Sequence, residues 1–336
     1  MRSSLIAMLF LSGIAQAQNP QAEISNGVIR AKFYLPDAKS GYYRGTRFDW
    51  SGVIYSLKFK AHDYYGPWFT KTNPDVHDFI YDGPDIVAGP CSAITGPVEE
   101  FSTNGKALGY DEAKAGGTFI KIGIGVLRKP DDSAYDNYRL YEIADGGKWS
   151  VSKKKDSIEF TQEVTDPTSG YGYKYTKTMS LGDGKASMLI EHSLQNTGKR
   201  AIESTVYDHN FLVLDKQPIG PAFEITLPYD FNTEQPPDPL MAEKRGKTFA
   251  YLKPLKDKDT VAVSFTGFGS TPADYNIAIN NRKVGAGMTI SSDKPLASES
   301  LWSIRSVLAM EPFIKMSIEP GQTFTWKYAY NYFTLP

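Results

Sequence analysis

Apolar and polar positions alternate with a period of two along most of this chain, and the plainest case lies near its C-terminal end. There Phe324, Trp326, Tyr328, Tyr330 and Tyr332 interleave with Thr323, Thr325, Lys327, Ala329 and Asn331. Successive side chains of a strand point to opposite faces, so this segment predicts a long strand with one aromatic face. The same reading predicts strands at Val53-Tyr55-Leu57-Phe59, Ile120-Ile122-Ile124-Val126, Ile158-Phe160-Gln162-Val164, Met188-Ile190-His192-Leu194, Val261-Val263-Phe265 and Tyr275-Ile277-Ile279. No amphipathic helical pattern interrupts them. Turn-forming clusters fall between the runs, among them Pro130-Asp131-Asp132, Asp145-Gly146-Gly147, Gly182-Asp183-Gly184, Asn196-Thr197-Gly198 and Asn280-Asn281. Many antiparallel strands in succession predict an all-β chain folded as a large antiparallel β-sandwich.

Two stretches break the rhythm. Residues Lys60 to Gly117 are rich in Gly, Pro, Asp and aromatics, and Pro228 to Arg245 contains Gln235-Pro236-Pro237-Asp238-Pro239. Strand-like sequence resumes after each without a change of composition, so both are expected to be long loops shaping one site within a single domain over residues 18–336, rather than linkers.

The first seventeen residues have a different pattern. Arg2, an apolar run from Leu5 to Ile14 and the small-residue motif Ala15-Gln16-Ala17 form a cleavable secretory signal, with the mature chain expected to start at Gln18 in the periplasm or outside the cell. The run is shorter than the roughly 20 residues a membrane helix needs, and no later stretch is apolar for that long. Exported proteins commonly carry disulfides, yet Cys91 is the single cysteine, so no intrachain bridge forms and stability must come from core burial. The 37 Lys and Arg against 38 Asp and Glu leave the surface nearly neutral, with no general attraction for nucleic acid or anionic membranes.

With four histidines, candidates for acid–base work near neutral pH are few. His192 alternates with Met188, Ile190 and Leu194 and reads as a hydrogen-bonded core residue. His62 and His77 sit with Asp63, Asp75 and Asp78 in a scatter that lacks zinc or EF-hand spacing, so no metal site is expected. His209 lies in Val206-Tyr207-Asp208-His209-Asn210-Phe211, where a strand puts Tyr207, His209 and Phe211 on one face and Asp208 and Asn210 on the other. An interior histidine with satisfied hydrogen bonds and a histidine on a sugar-binding face both fit. Glu311 interrupts the apolar run Val307-Leu308-Ala309-Met310 just before Pro312; it reads either as a strand-end carboxylate facing water or as a partnered, functional one. The run Tyr42-Tyr43-Arg44-Gly45-Thr46-Arg47-Phe48-Asp49-Trp50 supplies arginine forks for sugar oxygens, and Tyr64, Tyr65, Trp68, Phe69 and Trp302 are candidate stacking platforms. A phosphate loop, a nucleophile elbow and a Cys-x-x-Cys pair are all missing, which removes the main support for nucleotide, serine-hydrolase and nucleic-acid readings.

Taken in order, these segments resemble the galactose mutarotase superfamily, which includes the aldose 1-epimerases. Ser193-Leu194-Gln195-Asn196-Thr197-Gly198 followed by Asp208-His209-Asn210-Phe211-Leu212 resembles the family's strand, turn and histidine strand. Met310-Glu311-Pro312 resembles the segment with the catalytic glutamate, and Ser317-Ile318-Glu319-Pro320-Gly321-Gln322 its closing turn before the last strand. The resemblance implies a sugar isomerase without cofactor, with His209 as acid, Glu311 as base, and Arg47, or alternatively Arg44, as the substrate arginine. Tyr207, Asp208, Trp68 and Trp302 complete the expected substrate-binding set. The implied ligand is a small sugar or oligosaccharide, and no protein partner is implied. The second family histidine, in a His-Gly pair, has no counterpart: the comparable region reads Ala88-Gly89-Pro90-Cys91-Ser92 and Gly96-Pro97-Val98-Glu99-Glu100-Phe101. Two other readings therefore stand beside the isomerase, a non-catalytic carbohydrate-binding protein and a polysaccharide lyase or hydrolase on a related sandwich.

Overall fold

A computed structural model describes residues 19–336, so the expected signal at residues 1–17 lies outside the described residues. Two large antiparallel sheets dominate. A ten-stranded sheet runs from an edge at Lys148–Lys153 through Ser157–Asp166, Tyr171–Leu181, Ser187–Asn196 and Thr323–Thr334 to its far edge at Ala242–Arg245. A six-stranded sheet is ordered Asn232–Thr233, Thr260–Thr266, Ser298–Ile304, Val307–Ile318, Ile202–Leu212 and Gly96–Ser102. Smaller sheets formed by residues 21–63, 71–88 and 118–145 flank these two. Among the described residues no helix is long and apolar enough to cross a membrane.

The alternation read from the sequence places the core. On the last strand Trp326, Tyr328, Tyr330 and Tyr332 are all buried, and one apolar cluster runs from Ile24 to Tyr332 between the facing sheets. Full burial of one such aromatic removes on the order of 150–250 Å² from water, so these strands hold much of the stabilising area.

Three expectations need correction. Ile120 to Val126 is not one strand but a hairpin of Thr118–Lys121 and Gly125–Arg128, because Gly123 turns the chain at φ 80° while Ile122 and Ile124 stay buried in the turn and keep the apolar rhythm. In Val53–Phe59 a register shift pairs Ile54 with Phe33 and Ser56 with Lys32, which leaves Tyr55 as a bulge outside the core face. Lys60 to Gly117 is not one long loop: Gly96–Ser102 within it is a ladder-paired strand. Pro97 hides that strand in the sequence, and it is tolerated because the strand lies at the sheet's edge.

The space between the sheets also holds charge. Lys177, Glu99, Asp49 and Asp208 are buried there with His192. Lys177 pairs with Glu99, lies 3.6 Å from Asp49, and donates to the Ser51 carbonyl at 3.0 Å. His192 Nε2 meets Glu99 at 2.6 Å, with its ring stacked on Trp326. Burial opposes ionisation of Glu99, but Lys177 and His192 overcome it and hold the carboxyl below its usual range. Asp208 is pushed the other way, up to about 8, by burial and the nearby Glu99 charge. A protonated Asp208 suits its surroundings, since the Tyr330 hydroxyl lies between the Asp208 carboxyl and Asn210 Oδ1 and relays a single chain of donors.

Candidate active site

Strand register builds the centre of the site. On the strands Ile202–Leu212 and Val307–Ile318, Tyr207 pairs with Phe313 and Asn210 with Met310, which sets His209 directly across from Glu311. Ser300 is the next partner of Glu311, and Ser264 the next partner of Ser300. Cross-strand neighbours on one face lie close enough to interact. His209 Nε2 is 3.0 Å from Glu311 Oε1, and the Ser300 hydroxyl donates to Glu311 Oε2 at 3.0 Å. Glu311 is therefore a mid-strand carboxylate with two polar partners, not one facing water at a strand end.

These groups form the floor of a cleft of about 480 Å³. Trp68, Phe79 and Trp302 make an aromatic wall, with Trp302 edge-on to Trp68 at 5.7 Å. Asp78, Ser92 and Tyr138 also line the cleft, the Ser92 hydroxyl donating to Asp78 at 2.5 Å, and Glu234 and Gln235 come from the segment after the edge strand. His209 is stacked on Phe211 with ring centroids 3.7 Å apart and meets Phe48 edge-on. This packing fixes the imidazole while Nδ1 is buried without a hydrogen-bond partner.

Electrostatics follow from that burial. Burial, reinforced by the Arg47 charge, pushes the His209 imidazole well below its ordinary value. Burial also raises the Glu311 carboxyl to about 7, against the opposing pull of Ser300 and Arg47. The two shifts favour a neutral pair that holds one proton, whereas mutual attraction alone would favour imidazolium and carboxylate. Both arrangements contain the same number of protons and differ only in which side of a 3.0 Å gap the proton occupies.

Arg47 lines the cleft but is not a free charge. Its Nε contacts Glu100 Oε2 at 2.7 Å, its Nη2 donates to the Tyr207 hydroxyl at 3.2 Å, and its guanidinium lies over the Phe48 and Tyr138 rings. Tyr207 in turn donates to Glu100 at 2.5 Å, and Lys121 meets the other Glu100 oxygen at 3.3 Å. Burial disfavours the Glu100 anion, yet Arg47 and Lys121 outweigh it and keep its carboxyl below the usual range.

Of the residues singled out from sequence, the cleft gathers His209, Glu311, Arg47, Trp68 and Trp302. Tyr207 supports Arg47 from beside the cleft. Asp208 does not reach it, because alternation turns its side chain to the buried face against Tyr330. Arg44 is exposed and donates to the Lys39 carbonyl at 3.1 Å, away from the lining residues. Tyr64 and Tyr65 are core aromatics bonded toward the last strand. Glu100 and Lys121 went unrecognised because the first sits in a strand disguised by Pro97 and the second at a hairpin read as continuous strand. Glu234, Asp78, Ser92 and Tyr138 come from irregular segments, where pattern carries little information.

The architecture is that of the galactose mutarotase-like β-sandwiches. The structure aligns with the Slr1438 protein from Synechocystis sp. PCC 6803 at a TM-score of 0.56 and 11% identity, over 97% of this chain and 100% of that one. It aligns with a galactose mutarotase-like protein from Lactobacillus casei ATCC 334 at 0.52 and 13%, over 93% and 100%. For the GalM/aldose epimerase homologue from C. elegans the values are 0.53 and 12%, over 95% and 100%. No family model and no curated protein matches the chain by sequence. At such identities the likeness is one of fold.

Proposed function

We propose that this protein is an exported, cofactor-independent sugar isomerase of the mutarotase type, which interconverts the anomers of a reducing sugar. The observation that carries the reading is the His209–Glu311 pair, 3.0 Å apart on the floor of an aromatic-walled cleft. Anomer exchange needs one group to take the proton of the anomeric hydroxyl and another to protonate the ring oxygen, and both oxygens are bonded to the same carbon. Two adjacent side chains sharing one proton meet that demand. With the proton on His209, Glu311 accepts from the hydroxyl as the imidazolium gives to the ring oxygen. The bond from the anomeric carbon to the ring oxygen breaks, leaving an open-chain aldehyde. Rotation presents the other carbonyl face, and the reverse transfers close the ring and restore the pair. Arg47, held by Glu100 and Tyr207, orients sugar oxygens, and Trp302 and Trp68 offer apolar faces to the ring.

The lyase reading fits less well. Tyr207 donates to Glu100 and accepts from Arg47, so its hydroxyl is already engaged on both sides and is not free to serve as the lyase base.

Magnetisation transfer between anomers, across a panel of neutral sugars, tests the proposal. Glu311→Gln and His209→Asn should each lower kcat/KM by about 10²- to 10⁴-fold, the usual contribution of a positioned acid or base. Undiminished exchange in Glu311→Gln would reject the assigned role. Saturable binding with no exchange in the native chain would leave the carbohydrate-binding reading. For export, N-terminal sequencing of the periplasmic or secreted product should begin at Gln18; retention of Met1 would refute cleavage.

A further inference from the structure

The cleft is longer than one sugar ring, and its length has a direction. Toward the Gly96–Ser102 strand it is shut: Val98, the partner of His209 on that side, and Phe48 are fully buried, and the Arg47–Glu100–Lys121 group fills the space beyond. Toward the other edge the register sets a polar row across the floor, from Glu311 to Ser300 to Ser264. Neighbouring strands lie about 4.8 Å apart, so Ser264 stands roughly two spacings, about 10 Å, from the acid–base pair, beyond the reach of a single pyranose. The row does not stop there. The Glu234 amide donates to the Ser264 carbonyl at 3.0 Å, which seats Glu234 at the far end of the same cleft. Ala262, the partner of Trp302, is exposed and too small to fill the space beside the indole. Side chains that catalysis on one ring does not need thus line the floor beyond it with a hydroxyl, a carboxylate and the Gln235 amide, the groups that hydrogen-bond sugar hydroxyls.

We infer that the cleft takes the reducing end of a disaccharide or longer neutral glycan. The reducing ring sits over His209 and Glu311, and the next unit lies over Ser264 and against Glu234. The inference rests on the sugar-isomerase reading above and adds the size of its substrate.

The test compares anomer exchange of glucose and galactose with that of maltose, cellobiose and lactose, by kcat/KM. At least one disaccharide should exceed its own reducing monosaccharide about tenfold, the equivalent of one or two well-made hydrogen bonds. Ser264→Phe, which fills the floor of the outer position, should lower that disaccharide-to-monosaccharide ratio by about the same factor. Glu234→Ala, on an exposed segment outside the core, should lower it as well and guards against misfolding of the first variant. Equal kcat/KM for both sugar sizes, or a ratio that neither substitution moves, would overturn the inference. If the native protein exchanges no anomers at all, the isomerase reading fails separately. Calorimetric titration then decides the subsite: tighter binding of a disaccharide than of its monosaccharide, weakened by Ser264→Phe, supports it, and equal or absent binding refutes it.

Discussion

Burial places the single proton of the His209–Glu311 pair, and this predicts how the rate depends on pH. Glu311 is raised to about 7 and His209 is lowered well below its ordinary value, so between those limits the pair holds one proton, as ring opening requires. Above about pH 7 the pair loses it. kcat/KM for anomer exchange, corrected for the spontaneous reaction, should therefore stay level through mildly acidic pH and fall about tenfold per unit above pH 7. A rate that climbs from pH 7 to 9 would contradict the one-proton pair. Pattern singled out these two residues, an imidazole among aromatics and a carboxylate in an apolar run, but left their roles open, and it was the resemblance to the mutarotase superfamily that assigned them as acid and base. Neither could supply their charge state, which depends on Phe48, Phe211 and Arg47 closing around them. Asp208 is the opposite case: alternation already put it on the face away from His209, and its bond with the Tyr330 hydroxyl bears out that placement against its inclusion in the expected substrate-binding set.

The elements show where periodicity misleads. In the hairpin Thr118–Lys121 and Gly125–Arg128 the apolar residues keep period two through the turn, so the turn is invisible without its glycines. Gly123 has φ 80°, and a β-carbon there would come within 2.7 Å of Asp49 Oδ1 and 2.9 Å of its Cα. Gly123→Ala should cost about 1–3 kcal/mol, from left-handed backbone strain plus displacement of Asp49, and chemical denaturation would measure it. An unchanged midpoint would mean that the turn relaxes freely. The strand Gly96–Ser102 was hidden for the opposite reason, since Gly96, Pro97 and two consecutive glutamates look like loop. Both glutamates are buried in salt links on opposite faces of one edge strand, a pairing that only long-range register reveals.

At the scale of the molecule, the all-β sandwich and its long aromatic strand were legible because they depend on local alternation, whereas the charge between the sheets was not, because it joins residues distant in sequence. Lys177 neutralises Glu99 and lies close to Asp49, with all three side chains fully buried. Lys177→Met should destabilise the fold by about 3–5 kcal/mol, the usual cost of leaving a buried carboxylate without its partner. Thermal unfolding would show this as a large drop in Tm, and a native Tm in that variant would mean that the buried acids simply take up protons. The six-stranded sheet thus separates two chemistries by the thickness of one backbone layer. Behind His209 and Glu100 stand Asp208 and Glu99, whereas behind Ser264 stand Val263 and Phe265. Tolerance to change is therefore lopsided across the molecule: the histidine side is anchored from the rear by hydrogen-bonded carboxyl groups, and the serine side rests on plain hydrocarbon. Under the proposed sugar-isomerase reading, changes of ligand preference have their freest ground on that second half.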